Sequence, residues 1–439
     1  MDTAMSRTRT TFTNWSGSVA TKPVAFHHPA TVAEVCGLLR DLPAGQSIRP
    51  VGGGHSFTPC AAGEQHMLSL DKLSGLVGVD RASKRVRFFA GTRLRDVPRL
   101  LAPFGLALAN QGDIDVQSLA GVISTSTHGT GVEWPGFAGT VTALSLVDAN
   151  GELREYSLDA DPDALRLVTV SLGSLGVVVE VEMQCVDAFD LHAVEGTADL
   201  DDLLNTWEER TRTVDHFEAF WFPHTDRAMV KNNTRLEPDR TQKGRSRLTR
   251  FVEEELVGNG AFAASLLVSR IAPATTPFLN GIAVGAMGAA SYRSPAHEVF
   301  STPRRVRFHE MEYAVPLEAG PDVVREIRAE IDRRDWRVPF PLELRSTAAD
   351  DVALSTSTGR ESMYIAFHVP KATNPADYFP ALEPIFRAAG GRPHWGKMHT
   401  LGREDFAELY PRFDEFCALR AEMDPQGRFS SAYLRRLFG

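Results

Sequence analysis

The stretch Ile48-Arg49-Pro50-Val51-Gly52-Gly53-Gly54-His55-Ser56-Phe57 decides how the rest of this chain is read. A strand-like run, Ser47 to Val51, enters three consecutive glycines, and a histidine follows at once. Without Cβ the backbone takes up positive φ and approaches a ligand closely. Successive N–H groups in such a loop form an anion-binding concavity that suits phosphate. His55 then sets an imidazole beside whatever is bound. No Gly-Lys-Ser/Thr follows, so this is not a Walker A loop, and Phe57 stands where Gly-x-Gly-x-x-Gly needs its last glycine. A tight turn after a strand is the plain structural reading of a glycine run on its own.

Three further pieces bear on that choice. Asn110-Gln111-Gly112-Asp113-Ile114-Asp115-Val116-Gln117-Ser118-Leu119-Ala120-Gly121 runs on to Ser124-Thr125-Ser126-Thr127-His128-Gly129, with no charge between Asp115 and Glu133. Small residues and hydroxyls of this kind lie flat against a large planar ligand. Ser171-Leu172-Gly173-Ser174-Leu175-Gly176-Val177-Val178 has the same character, and Arg392-Pro393-His394-Trp395-Gly396-Lys397 comes near the end.

In this order and spacing the four pieces resemble the FAD-linked oxidases of the vanillyl-alcohol oxidase type. Among these the match is to the sugar-lactone and alditol oxidases, relatives of L-gulono-1,4-lactone and D-arabinono-1,4-lactone oxidase. It runs from Asn14-Trp15-Ser16-Gly17 to the last residues. The resemblance implies an α+β fold: a two-part, non-Rossmann FAD-binding domain with an α+β substrate cap. It implies FAD bound covalently from the flavin 8α-methyl to His55. Residues 1–187 would form the FAD-binding domain, 188–399 the cap, and 400–439 a segment returning to the FAD domain. The cofactor would be held by Val51, Gly52, Gly53, Gly54, His55, Ser56 and Phe57, then by Gly112, Asp113, Ser118 and Gly121. Thr125, Ser126, Thr127, His128, Val177, Val178 and Lys397 complete the set.

Composition agrees without being able to show any of this. At 439 residues the chain is long for one domain. Hydrophobic residues at 43% and charged residues at 23% are ordinary for a globular protein. A net charge of −9 argues against nucleic acid and anionic membrane as partners and suits a neutral substrate. Four scattered cysteines with no Cys-x-x-Cys indicate neither a disulfide framework nor a zinc site, and a reduced cytoplasmic setting is the default. Met1 to Phe12 lacks the apolar core of a secretory signal. The apolar window from Ala261 to Ala290 is broken by Arg270, Pro273 and Pro277 well short of the roughly 20 residues that a spanning helix needs. It reads as a core or cap-surface helix, with weak peripheral membrane contact left open.

Thr31-Val32-Ala33-Glu34 is a capping box that predicts a helix with Val32, Val35, Leu38 and Leu39 at helical spacing. Thr92 is expected to open another. Leu76–Val79 pairs with Arg85–Phe89, and Val141–Asp148 with Gly151–Ser157 around Asn150-Gly151, a strong hairpin cue. Val177–Cys185 is a β-branched strand. Beyond Asp187 the pattern changes. Thr197–Arg210, Pro321–Arg334, Pro375–Ala389 and Glu404–Ala421 read as helices, His216–Pro223 and Arg305–Val315 as strands, and Arg235–Arg247 as an exposed charged loop.

In Pro341-Leu342-Glu343-Leu344-Arg345, alternation puts Glu343 and Arg345 on one side of a strand. By themselves two opposite charges two residues apart read as a solvated strand face or a structural ion pair. The resemblance implies that the pair binds sugar hydroxyls. His368 shares a strand face with Tyr364 and Ala366, and is either an ordinary sheet histidine or a site residue. Lys397 has a physical reason to be present. Two-electron reduction leaves negative charge over flavin N1 and the C2 carbonyl, and a fixed cation there stabilises it. The expected catalytic set is Glu343, Arg345, Lys397, His368 and Asp113, with the substrate proton leaving to Glu343, His368 or solvent. Asp113 takes the place of a serine expected in alditol oxidases, and His368 that of a threonine. Both departures favour aldonolactones, oxidised with oxygen as acceptor and hydrogen peroxide as by-product. By resemblance Gly112 should sit beside the flavin C4a–N5 edge and leave oxygen an open approach.

Several motifs fail. His309-Glu310-Met311-Glu312-Tyr313 starts like His-Glu-x-x-His but lacks the second histidine, so no zinc site is expected. Gly54-His55-Ser56-Phe57-Thr58 falls short of Gly-x-Ser-x-Gly, though it supplies a rival reading, a serine hydrolase or lactonase using Ser56. An alditol oxidase, a lactone dehydrogenase with a different acceptor, and a flavin- or sugar-binding module without turnover also compete.

Overall fold

A computed structural model describes residues 10–239, 259–302 and 304–439. After an antiparallel pairing of Phe12–Thr13 with Ala20–Thr21, the first part forms a small parallel sheet in the order β1-β3-β2, from β1 (Ala25–His27), β2 (Ile48–Val51) and β3 (His66–Ser69). The helix α1 (Val32–Arg40) starts where the capping signal lies: Thr31 accepts from the Glu34 N–H, while the Glu34 carboxylate reaches back to the Ala30 N–H at 2.9 Å. An antiparallel sheet follows, ordered β8-β7-β9-β5-β4, from β4 (Leu76–Asp80), β5 (Arg85–Phe89), β7 (Val141–Val147), β8 (Leu153–Ser157) and β9 (Val177–Asp187). The short β6 (Leu106–Leu108) pairs with the far end of β9. Every residue of β7 is buried, which is why its run reads as continuously apolar. The helix α2 (Leu119–Ser124) packs against β9 and carries the second cofactor-loop candidate. The helix expected from Thr92 is a 3-10 turn and a short helix, Val97–Leu101, kept brief by Pro98 and Pro103.

The second part is built on eight antiparallel strands in the order β13-β10-β12-β11-β15-β16-β14-β17. They are β10 (Asp190–Asp199), β11 (His216–Trp221), β12 (Arg227–Leu236), β13 (Ala290–Pro295), β14 (Phe308–Pro316), β15 (Leu342–Thr347), β16 (Ser362–Pro370) and β17 (Arg392–Pro393). Helices α3 (Phe262–Ile271), α4 (Thr276–Ala286), α5 (Gly320–Arg333) and α6 (Phe379–Ala388) accompany them. The helix expected from Thr197 starts three residues later, because Thr197 to Asp199 pair with β12. Arg235 and Leu236 end β12, and 240–247 of the expected charged loop lie outside the described residues, as do residues 1–9.

After β17 the chain returns to the first part through α7 (Arg403–Leu409), α8 (Phe413–Met423) and α9 (Ala432–Phe438). The helix expected over Glu404–Ala421 is two helices, broken at Pro411. Arg49, buried on β2, ties the return: its guanidinium donates to the carbonyls of Cys60 (2.6 Å), Leu172 (2.5 Å), Gly173 (2.8 Å) and Phe429 (2.6 Å). One continuous hydrophobic core runs through both parts.

Candidate active site

Two adjoining cavities form the site, one within the first part and one between the two parts. The first is the glycine cleft. It is lined by Val51, Gly52, Gly53, Gly54, His55 and Ser56 from the loop after β2, by Ser118 and Gly121 at the start of α2, and by Thr125 and Val178. Gly54 has φ +69°, a conformation that glycine adopts freely. A Cβ on Gly53 would lie 2.9 Å from the Val116 carbonyl, and one on Gly52 would collide with Ser118 Oγ. The loop is therefore glycine because the α2 segment closes tightly over it. Gln117, which faces both cavities, keeps a buried side-chain oxygen without a partner. A narrow cleft of this kind, lined with backbone and small polar groups, fits a dinucleotide such as FAD.

The second cavity is lined by Phe57, Gly112, Asp113, Thr127 and His128 from the first part and by Glu310, Glu312, Glu343, Arg345 and His368 from the cap sheet. Lys397 and His394 reach it from the turn after β17. His55, Ser56, Gln117 and Thr125 line both cavities, so His55 stands at their junction. Its ring stacks on Trp15 at 5.4 Å. Burial, with Lys397 and Arg93 nearby, lowers the His55 pKa to about 4, leaving a neutral imidazole with a free lone pair at pH 7. The Phe57 N–H donates to the Gly396 carbonyl at 2.6 Å, which fixes the Lys397 turn against the glycine loop.

Strand register assembles the cap side. Glu343 lies opposite Phe220 and Ala366, Arg345 opposite Glu218 and Tyr364, and Glu310 opposite His368. Period-two alternation puts these on one sheet face, while Leu342 and Leu344 are fully buried in the core. Arg345 donates to Glu218 at 2.8 Å and contacts Glu343 at 2.5 Å and Asp113. Burial lowers its pKa to about 9, so it stays cationic at neutral pH. Burial, reinforced by Glu218, Glu310 and Glu312, raises Glu343 to about 8 despite Arg304. Burial also pushes Glu310 up, but Lys397 and His368 outweigh it and bring it down to about 2. Lys397 is ion-paired with Glu310, with Glu312 at 3.9 Å, and these carboxylates raise its pKa against the effect of burial. Glu312 also faces His128 at 3.3 Å, and His128 stacks on Tyr364.

Most of the residues expected from sequence thus converge. Two do not: Val177 is fully buried opposite Val147 in the sheet, and Ser126, at φ +56°, turns its hydroxyl toward Ser355 and Thr356. Glu218, Arg304, Glu310 and Glu312 join the site without having been expected there. Only the last two carried a local signal, acids two apart on an otherwise apolar strand.

The D-arabinono-1,4-lactone oxidase model matches residues 181–437, and an FAD binding domain model matches 23–157. An L-gulono-1,4-lactone dehydrogenase of Mycobacterium tuberculosis is 36% identical over 429 residues, 98% of this chain and 99% of that protein. The chain belongs to the aldonolactone oxidase and dehydrogenase family. It is an FAD-dependent oxidoreductase with the fold of the vanillyl-alcohol oxidase type. The L-gulonolactone oxidase of Bos taurus is 31% identical, with 97% of this chain and 98% of that protein covered. Cholesterol oxidase from B. sterolicum shares the fold, with a TM-score of 0.81 at 17% identity, covering 100% of this chain and 99% of that one. The hydrolase reading is set aside by family membership. Local structure agrees, since a 3-10 turn at Pro59–Ala61 stands where a nucleophile elbow needs a helix.

Proposed function

We propose that this enzyme oxidises a secondary alcohol carbon of a neutral sugar-derived lactone, such as L-gulono-1,4-lactone, and that His55 carries FAD covalently. One observation carries the reading: Glu343 and Arg345 of the cap sheet share a cavity with Lys397, and His55 joins that cavity to the glycine cleft. FAD, when bound, supplies the hydride acceptor and passes the electrons to oxygen, giving hydrogen peroxide. Residues 1–187 and 400–439 would hold it, and 188–399 would cap the substrate.

Charge supports a neutral substrate. Each Arg or Lys lining the cavity already contacts a carboxylate: Arg304 pairs with Asp113, Arg345 with three acids, and Lys397 with Glu310. A substrate carboxylate would have to displace one of them. In the proposed mechanism Arg345 and Glu343 hold the substrate hydroxyls. The ionised form of Glu343 takes the hydroxyl proton, and Lys397 supplies the fixed cation. A 2-keto lactone product would enolise to an ascorbate-type compound. A panel of aldonolactones and alditols tests the substrate class. A preference for L-gulono-1,4-lactone or an isomer is expected, and a preference for xylitol or sorbitol would make this an alditol oxidase.

A pH dependence follows from Glu343. A base with a pKa raised to about 8 is mostly protonated at pH 7, and its working form grows as pH rises through that value. Single-turnover reduction by the lactone should therefore speed up about tenfold per unit below pH 8 and level off above it. A flat profile from pH 6 to 9 would take Glu343 out of the proton transfer.

Oxygen is the proposed acceptor, although relatives named dehydrogenase and oxidase both match. Gly112 presents no side chain to the cavity. Stopped-flow mixing of reduced enzyme with air-saturated buffer should show reoxidation at least as fast as turnover. Slower reoxidation would identify a dehydrogenase. In Gly112→Ala the added Cβ would lie 3.0 Å from the His128 carbonyl, so that loop must shift as well. A fast oxygen reaction left unchanged in this variant would place the gate elsewhere.

A further inference from the structure

One rung of the cap sheet alternates in charge on its way to the cavity. Glu195 on β10 lies opposite Lys231 on β12, Lys231 opposite Glu218 on β11, and Glu218 opposite Arg345 on β15. Cross-strand partners point to one face, where opposite charges side by side attract. Beyond Arg345 the rung meets Tyr364 on β16, whose ring stacks on His128 at 3.5 Å. Arg345 lines the substrate cavity, whereas Glu218 and Lys231 do not. Yet Glu218 is only 7% exposed, and it divides its two oxygens between the two cations. Its Oε1 meets Lys231 Nζ at 3.3 Å, and its Oε2 accepts from Arg345 Nε at 3.0 Å and Nη2 at 2.8 Å.

This arrangement holds a guanidinium in one plane. Asp113, Glu218 and Glu343 each bring an oxygen to within 4.8 Å of the others, and Arg345 is the cation at their convergence. Glu218 takes two nitrogens of the planar fork, Nε and Nη2, from one side. Among the described residues no protein hydrogen bond engages the third, Nη1. Lys231 braces the carboxylate from behind. Burial works against its charge, but Glu218 and Glu195 outweigh that and raise its pKa, so it stays a cation. The brace matters during the reaction. Once Glu343 has taken the substrate proton it no longer holds Arg345 by charge. Glu218 and Lys231 lie outside that proton transfer and keep the guanidinium where it was.

We propose that Glu218, braced by Lys231, is a positioning residue of this reaction: it sets the plane of the Arg345 guanidinium so that Nη1 is presented to a substrate hydroxyl. The inference rests on the reading of Arg345 as the residue that holds substrate hydroxyls. Groups that support a reacting side chain from behind fix its geometry, and a misplacement of about 1 Å costs about 10² in rate.

Chemical rescue of the FAD-loaded enzyme tests this. In Arg345→Ala, free guanidinium should settle among the three carboxylates and restore turnover at least about tenfold, and methylammonium, which lacks the planar fork, should restore less. The double variant Arg345→Ala with Glu218→Gln should lose that rescue. As a single change, Glu218→Gln should lower kcat/KM by about 10–10² with FAD content kept, and Lys231→Met should give a smaller loss in the same direction. An ion pair that only stabilises the fold would shift the thermal midpoint and leave the rescue intact in the double variant. Rescue that fails in Arg345→Ala, or that survives the loss of Glu218, would overturn the proposal. So would wild-type kcat/KM in both Glu218→Gln and Lys231→Met while Arg345→Ala is impaired. Wild-type turnover in Arg345→Ala would instead overturn the reading of the site, and this inference with it.

Discussion

Turnover should fall by about 10²–10⁴ when Glu343 is replaced by Gln, the usual contribution of a positioned general base. Glu343 is buried and held mostly protonated at neutral pH, so Gln reproduces its shape and its neutral ground state. The substitution removes only the ability to accept a proton. FAD content and thermal midpoint should therefore stay close to the wild type while single-turnover reduction slows. Arg345→Ala and Lys397→Ala should each lose about 10²–10³ for the missing charge. Their background differs. Asp113 and Glu218 would be left around an empty Arg345 site, and Glu310 without its lysine. Breaking a buried pair on one side costs about 3–5 kcal/mol, so both variants need a melting curve beside the rate. Near-wild-type turnover in any of the three would take that residue out of the chemistry.

Acid precipitation of His55→Ala should release all of its FAD, whereas the wild-type pellet should stay yellow. The neutral imidazole at the cavity junction is a competent nucleophile, and its lowered pKa keeps it so throughout the physiological range. The glycine cleft, α2 and the Lys397 turn persist in the variant, so FAD should still bind, reversibly and with much reduced activity. A flavin mass adduct on the wild-type peptide containing His55 is the direct measurement. A wild-type protein that gives up free FAD to acid, with no adduct, would show that the histidine acts without a covalent bond.

Much of this site is legible in the sequence because its pieces are local. The glycine loop, the Asn110–Gly121 segment and the His394–Lys397 turn each declare themselves within about a dozen residues. Glu343 and Arg345 share a strand face by alternation alone. What cannot be read is which strands lie beside β15. Glu218 and Glu310 join the cluster through cross-strand register, with Arg345 and with His368, from positions 127 and 58 residues away (345−218 and 368−310). No spacing rule reports that. The acids of β14 are visible as an alternating pair, but their spacing speaks only against a zinc motif and gives no hint of the lysine they hold. Ser126 and Val177 looked like cofactor residues through their neighbours. A left-handed backbone and a buried ladder position turn them away.

Arg49 and Phe429 are 380 positions apart in the chain, and their hydrogen bond has a consequence for biosynthesis. At about 5–20 residues per second, roughly 20–80 s separate their emergence from the ribosome. During that interval the glycine loop exists without the strand-end contacts of Arg428 and Phe429 or the lysine turn packed on Phe57. A nascent chain therefore cannot present the finished cradle, and capture of the cofactor belongs after translation. Extensions fused after Gly439 should be judged by flavin loading before they are judged by rate.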